Sequence, residues 1–249
     1  MNTCLFLPRC RLRRVGPGAL LGLVAGLVVA LAQDAAPATP AAVPAPPPVR
    51  KPRLLSHEEM PALQGEGWKS LFDGRNLKPW TVTDFAGHGD VEVADGNLVL
   101  GMGAIMSGVN GPTNLFKTNY ELVLDAKRTM GSDFFCGLTF PVGNDCCSLI
   151  IGGWGGGVVG LSSLDDMDAS MNETTLYLVL KQDQWYRVRV RVTLERIDAW
   201  IGERQVAEVR IEDHKITVRP GDIELSQPFG IATYQTAAAI RNIQWRSLD

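Results

Sequence analysis

From Trp68 to the end of the chain, apolar residues recur at every second position and not at the 3.6-residue spacing of a helix. The clearest run is Tyr186, Arg187, Val188, Arg189, Val190, Arg191, Val192. Tyrosine and valine fill one face and three arginines the other, as in a strand with one side on a core and one in water. Weaker versions of the pattern predict strands at 91–102, 120–128, 134–140, 147–151, 175–180, 197–201, 206–211, 229–234 and 240–247. Turn-forming residues separate them, among them Asp95-Gly96, residues 141–145, Gly202-Glu203 and Pro220-Gly221. So many short strands, with no helical stretch beyond a few turns, predict an all-β fold: a two-sheet antiparallel β-sandwich or jelly roll over residues 67–249.

Ahead of that domain the pattern changes. Residues 1–32 carry a basic stretch ending at Arg14, an apolar run over 19–32 broken only by Gly22 and Gly26, and the small-residue site Ala30-Leu31-Ala32. These are the three parts of a cleavable signal peptide, so a secreted or periplasmic protein beginning near Gln33 is expected. The competing reading, an uncleaved membrane anchor, needs about 20 apolar residues, and this run is shorter. After cleavage no stable membrane insertion is expected. Neither Cys4 nor Cys10 follows the apolar run, which argues against a lipid anchor. Residues 33–53 are dominated by Ala, Pro and Val and close on Arg50-Lys51-Pro52-Arg53, the composition of a spacer. Within 54–66, Ser56-His57-Glu58-Glu59 fits a capping box and predicts a short helical lead-in that Pro61 limits.

Composition narrows the classes of function. With 249 residues, 45% hydrophobic and 20% charged, the chain can bury one sizeable core without a second domain. Removing residues 1–32 takes four arginines and no acidic residue, moving the net charge from -3 to -7. An acidic mature domain is poorly suited to nucleic acid, whose phosphates need clustered positive charge. Five cysteines fall to three, Cys136, Cys146 and Cys147, which gives no regular disulfide framework. Cys146 and Cys147 point to opposite faces if they lie on a strand, so only one of them can readily meet Cys136. The histidines, His57, His88 and His214, all lie far from these thiols in sequence, which argues against thiol catalysis.

The domain opens on Gly67-Trp68-Lys69-Ser70-Leu71-Phe72-Asp73-Gly74-Arg75-Asn76-Leu77-Lys78-Pro79-Trp80 and closes on Phe229-Gly230-Ile231 and Ile240-Arg241-Asn242-Ile243. The opening resembles the GW..LFDG..L..W motif of the secreted 3-keto-disaccharide hydrolase family, and the ending resembles that family's closing strands. Between them, Trp185-Tyr186-Arg187-Val188 and Ala199-Trp200-Ile201-Gly202 resemble a hairpin shared by concanavalin A-like and laminin G-like jelly rolls. The resemblance spans most of residues 67–248 and implies a hydrolase acting on 3-keto-disaccharides or related modified glycosides. The middle departs from the family: residues 132–138 and 147–153 lack the Asn-Ser-Gly step and the carboxylate-bearing strand that members usually carry. A carbohydrate-binding sandwich without turnover, and a surface scaffold domain, therefore stand beside the hydrolase reading.

In a 3-keto glycoside the ketone acidifies the C2 hydrogen, so cleavage can run by proton abstraction and elimination. That needs a general base and a donor or metal at the enolate oxygen. Candidate catalytic residues are His88, between Gly87 and Gly89, and Asp133; Asp90 and Trp154 are candidates for binding substrate. His88 reads more simply as a solvated loop histidine. Asp166, Asp168, Ser170 and Asn172 alternate as oxygen ligands of the kind Ca²⁺ prefers, but Met171 and Tyr177 stand where an EF-hand needs Gly and Glu. The sixth and twelfth positions thus exclude an EF-hand and leave an irregular calcium loop at Asp166 and Asp168, or a plain acidic loop. No cofactor is required by the chemistry. The glycine-rich stretch 151–158 lacks the ending of a phosphate loop; it lets backbone approach a ligand while Trp154 stacks on a sugar, or it is a flexible turn with Trp154 folded down. Trp68, Trp80, Trp185, Trp200 and Trp245 are expected in the core. The stripe of Arg187, Arg189 and Arg191 suits an anionic polysaccharide or, more simply, cross-strand acidic partners.

Overall fold

The computed structural model describes residues 62–249. The expected export signal, the spacer and the capping box at 56–59 lie outside them. In chain order the strands are β1 (Lys69–Ser70), β2 (Thr81–Val82), β3 (Val91–Ala94), β4 (Asn97–Leu100), β5 (Met106–Asn110), β6 (Tyr120–Gly131), β7 (Cys136–Val142) and β8 (Asp145–Gly152). They continue as β9 (Val158–Ser162), β10 (Leu176–Tyr177), β11 (Tyr186–Val192), β12 (Arg196–Ile201), β13 (Arg204–Arg210), β14 (Gly230–Tyr234) and β15 (Thr236–Ser247). One sheet runs β13-β12-β11-β6-β15-β4-β3, with β1 added to β15; the other runs β10-β9-β8-β7-β14-β5-β2. Every pairing is antiparallel. The fold is the expected all-β, two-sheet antiparallel sandwich of jelly-roll type.

Period two explains the core. In β11 the alternate residues Tyr186, Val188, Val190 and Val192 are buried and the arginines between them half-buried. They meet Leu122, Leu124 and Ala126 of β6 in register, and the same core takes Leu138 and Phe140 of β7, Leu149 and Ile151 of β8, and Ile231 of β14. Each such side chain contributes roughly 1.5–3 kcal/mol by leaving water. Cys136 and Cys147 join this core, and burial pushes both thiols up to about 12. They cannot pair: Cys147 stands opposite Phe140, four residues along the ladder from Cys136, and all three described cysteines are free.

The structure corrects several expected elements. The run 91–102 is a hairpin, β3 and β4, folded at Asp95 and Gly96, both at positive φ (49° and 76°). The strand expected at 175–180 pairs only through Leu176 and Tyr177. Of the five tryptophans expected in the core, only Trp80 is fully buried, at 2% exposure, with its indole N–H on Leu71 O (2.7 Å). Trp68, Trp185, Trp200 and Trp245 are half-buried, each beneath a cation: Arg246, Arg241, Arg189 and Lys69 stand 4.7, 3.9, 4.0 and 5.4 Å from the respective ring centres.

The arginine stripe on β11 has acidic partners. Register sets Asp125 of β6 between Arg187 and Arg241, and Glu121 between Arg191 and Arg246. Both carboxylates are fully buried. Arg187 Nε donates to Asp125 (2.9 Å) and Asn242 Nδ2 to its other oxygen (2.7 Å); Arg191 donates twice to Glu121 and Arg246 bonds the second oxygen. Burial would raise the Glu121 pKa, but the Arg191 and Arg246 guanidiniums outweigh it and hold the carboxyl below its usual range.

Candidate functional site

The outer face of the β7-containing sheet is made mostly of small residues. Register aligns Asn110, Gly230, Thr139, Ser148 and Ser162 in one row across five strands, and Gly108, Ala232, Gly137, Ile150 and Gly160 in the next. Small residues let loop backbone lie directly on the sheet. A Cβ at Gly108 would stand 2.9 Å from the Phe85 ring, and one at Gly160 3.1 Å from Ala169 O and Thr174 O. Loops carrying Phe85, Ala169, Val218 and Ile223 cover this face as a second small core with Met106, Ile150 and Val158.

The cover is incomplete, and the gap is a cleft. Its inner lobe, about 130 Å³, is floored by Ser148, Ile150 and Ser162 and walled by Ile105, Phe134, Trp154, Arg219 and Tyr234. Its outer lobe, about 320 Å³, shares Phe134, Trp154, Arg219 and Tyr234 and adds Asp133. Phe134 and Tyr234 stack at 5.8 Å, and Tyr234 N–H donates to Phe134 O (3.0 Å). Trp154 is 42% exposed on the turn between β8 and β9, with Arg219 5.8 Å from its ring. In the floor, Ser148 Oγ and Thr139 Oγ1 bond each other at 2.8 Å.

Of the expected site residues, Asp133 and Trp154 come together on this cleft. Asp133 works as a clamp: Oδ1 accepts Phe134 N–H (2.8 Å) and Oδ2 accepts Gly155 N–H (3.1 Å), tying the turn under Trp154 to the start of β7. His88 and Asp90 do not line it. His88 is exposed with Nδ1 2.9 Å from Gly89 O, and Asp90 is exposed and accepts Gly101 N–H on its backbone oxygen (2.7 Å). Asp166 and Asp168 turn to different partners: Asp166 to Lys215 Nζ (2.9 Å), Asp168 to Ser170 (2.6 Å) and Arg219 (3.7 Å). Among the described residues no group of three or more His, Cys, Asp or Glu side chains gathers as a metal site. Asp168 thus reaches the cleft through Arg219, whose Nε it faces.

Arg219, Tyr234 and Asp222 were not legible as site residues. Arg219 and Asp222 flank the turn Pro220-Gly221, whose signal is a bend and says nothing about what lies beneath it. His214, which does not line the cleft, sets Nδ1 2.7 Å from Asp165 Oδ2 and Nε2 3.2 Å from Glu173 Oε1. The Asp165 hydrogen bond raises the His214 pKa above its ordinary value, burial opposing it and the Glu173 charge adding to it.

Fold and cleft together define an antiparallel sandwich with an aromatic-walled pocket on one sheet face. The sequence match is specific: the family described as 3-keto-alpha-glucoside-1,2-lyase-like domain matches residues 67–246, and the chain belongs to that family. Among curated proteins none matches. Solved structures with a looser likeness include domain 4 of AbnA, an extracellular arabinanase of Geobacillus stearothermophilus (18% identity, TM-score 0.48, covering 73% of this chain and 91% of that one). The carbohydrate-binding module CBM66 of Bacillus subtilis is another (11% identity, TM-score 0.47, covering 68% and 95%).

Proposed function

We propose that the domain binds a carbohydrate in the Trp154 cleft and acts there on 3-keto glycosides or disaccharides. The observation that carries this reading is the exposed indole of Trp154, held on a clamped turn beside Tyr234 and the Arg219 guanidinium, with open space between them. A sugar offers a ring an apolar C–H face and offers the cleft's polar groups its oxygens. Family membership supplies the chemistry. A base takes the C2 proton and the electron pair moves onto the ketone oxygen; the enolate then re-forms the ketone, making a C1=C2 double bond as the C1–O bond breaks, and the leaving oxygen takes up a proton; water then adds to the unsaturated product. Arg219 is the cleft's donor for the developing enolate oxygen, and Asp133 and Asp222 are its carboxylates. With the export signal expected at 1–32, the proposed activity would lie outside the cytoplasm.

A second reading, binding without turnover, is favoured by Asp133: both of its oxygens already take backbone N–H groups. The chain lacking residues 1–32 is incubated with a panel of 3-keto glycosides and their parent sugars, with and without Ca²⁺, following the released alcohol or reducing sugar. Release from the keto compounds alone, abolished in Arg219→Met, supports the lyase-like reading. Saturable binding without release moves the assignment to a binding module, and neither release nor binding overturns both. Calcium is expected to make no difference, because Asp166 and Asp168 are engaged separately.

A further inference from the structure

Trp154 stands on a turn whose backbone is held from outside. Gly152, Trp154, Gly155 and Gly156 have φ of 81°, 49°, 85° and 104°, and Trp154 is the one of the four with a Cβ to crowd. Arg128, near the end of β6 in the opposite sheet, is 6% exposed and runs its guanidinium under this turn. Nη2 donates to Gly152 O (3.3 Å) and Gly156 O (3.0 Å), and Nη1 to Leu180 O (3.4 Å). The guanidinium carbon lies 5.0 Å from the centre of the Phe135 ring. The carbonyls two residues before and two residues after Trp154 therefore meet on one side chain. Glycine leaves room for it: a Cβ at 152 would stand 2.4 Å from Nη2, and one at 156 would stand 2.9 Å from Ser132 O and 3.3 Å from both terminal nitrogens.

We infer that Arg128 is the positioning residue of the cleft, a buried guanidinium that fixes the carbonyls on either side of Trp154 and so the direction in which the indole faces a ligand. Arg128 does not line the cleft. Its charge faces Asp133, which holds the same turn by Gly155 N–H, so the two side chains grip the turn by its acceptors and by a donor. Lysine cannot replace it, because a point donor on a flexible stem does not span three carbonyls as a planar fork does. The inference rests on the Trp154 cleft being the ligand site.

The test pairs a ligand-free readout with an affinity. Acrylamide quenching of the Trp154 emission, taken as wild type minus Trp154→Phe, is compared in native and Arg128→Lys backgrounds. Affinity is then measured for whichever sugar of the panel binds the wild type. Arg128→Lys is expected to melt cooperatively, to make Trp154 more quenchable, and to lose about tenfold in affinity. In a Trp154→Ala background it loses nothing further. Should Arg128→Lys not fold, Arg128→Met, which keeps the apolar stem and removes the three donor bonds, is expected to give the same quenching change. Unchanged quenching in a folded variant overturns the inference, as does a loss of affinity with unchanged quenching. If no sugar binds the wild type, the ligand reading fails while the quenching comparison still decides for Arg128.

Discussion

The two outer faces of the sandwich solve the same problem, a polar sheet surface, with opposite materials. On the β11 side, long side chains cover the sheet themselves: arginines flank Asp125 and Glu121 in register, and half-buried indoles lie beneath the cations. On the β7 side, rows of Gly, Ala, Ser and Thr leave the covering to loops, and the loops leave a cleft. A face whose buried carboxylates hold two arginines at Asp125 and three at Glu121 is satisfied by its own sequence and has a structural role. A face that surrenders its side chains to admit other segments can be shaped around a ligand.

Four substitutions press on that contrast. The largest effect is expected from Glu121→Gln, which leaves Arg191 and Arg246 facing a neutral group. Loss of about 3 kcal/mol in denaturant unfolding is expected, with sugar affinity of the folded protein unchanged. Because the Glu121 pKa is lowered by folding, its contribution is present above the unfolded value and is lost as pH falls through the folded one. Gly108→Ala forces a Cβ to within 2.7 Å of a backbone oxygen and 2.9 Å of Phe85, and about 2 kcal/mol of destabilisation is expected by the same assay. Trp154→Ala reverses the pattern: stability within about 0.5 kcal/mol of wild type, and sugar affinity down about tenfold by titration calorimetry.

The smallest effect concerns His214, which joins the segment after β13 to the 165–173 loop through both ring nitrogens. Only the imidazolium donates to both carboxylates. Its pKa is raised by folding, so the clamp is fully present below the ordinary value of 6.5 and is lost as pH rises through the folded value. Amide protection in 165–173, taken relative to the intrinsic exchange rate at each pH, is expected to fall over that rise and to become insensitive to it in His214→Gln. The difference is well under about 1 kcal/mol once solvent screening is counted.

The legible parts of this fold are those where one strand face is apolar and the other charged. Tyr186–Val192 announces itself for that reason; its cross-strand acidic partners were expected, and the structure identifies them on β6. Strands β5 and β9 do not, because both of their faces are buried: Met106–Asn110 and Val158–Ser162 carry Gly and Ser where a solvated strand would show charge, so period two has no contrast. The tryptophans misled for a related reason. Hydrophobicity placed them in the core, whereas cations from neighbouring strands let Trp185 and Trp200 lie on the outer face. Of the site, Trp154 stood out in an unusual glycine-rich stretch and proved to stand at the cleft, where Asp133, also a sequence candidate, joins it. Arg219 and Tyr234 come to it from turns and strands whose sequence reports only local geometry, and His88, distinctive in sequence, lies elsewhere.

The central claim is that ligand meets the small-residue face and not the arginine face. The six tryptophans sample both, since Trp154 lies on one and Trp185 and Trp200 on the other. In a ¹⁵N-labelled sample titrated with a 3-keto glycoside or its parent sugar, the account predicts that the Trp154 indole N–H resonance shifts saturably while those of Trp185 and Trp200 stay in place. Movement of Trp185 or Trp200 with Trp154 unmoved would contradict it.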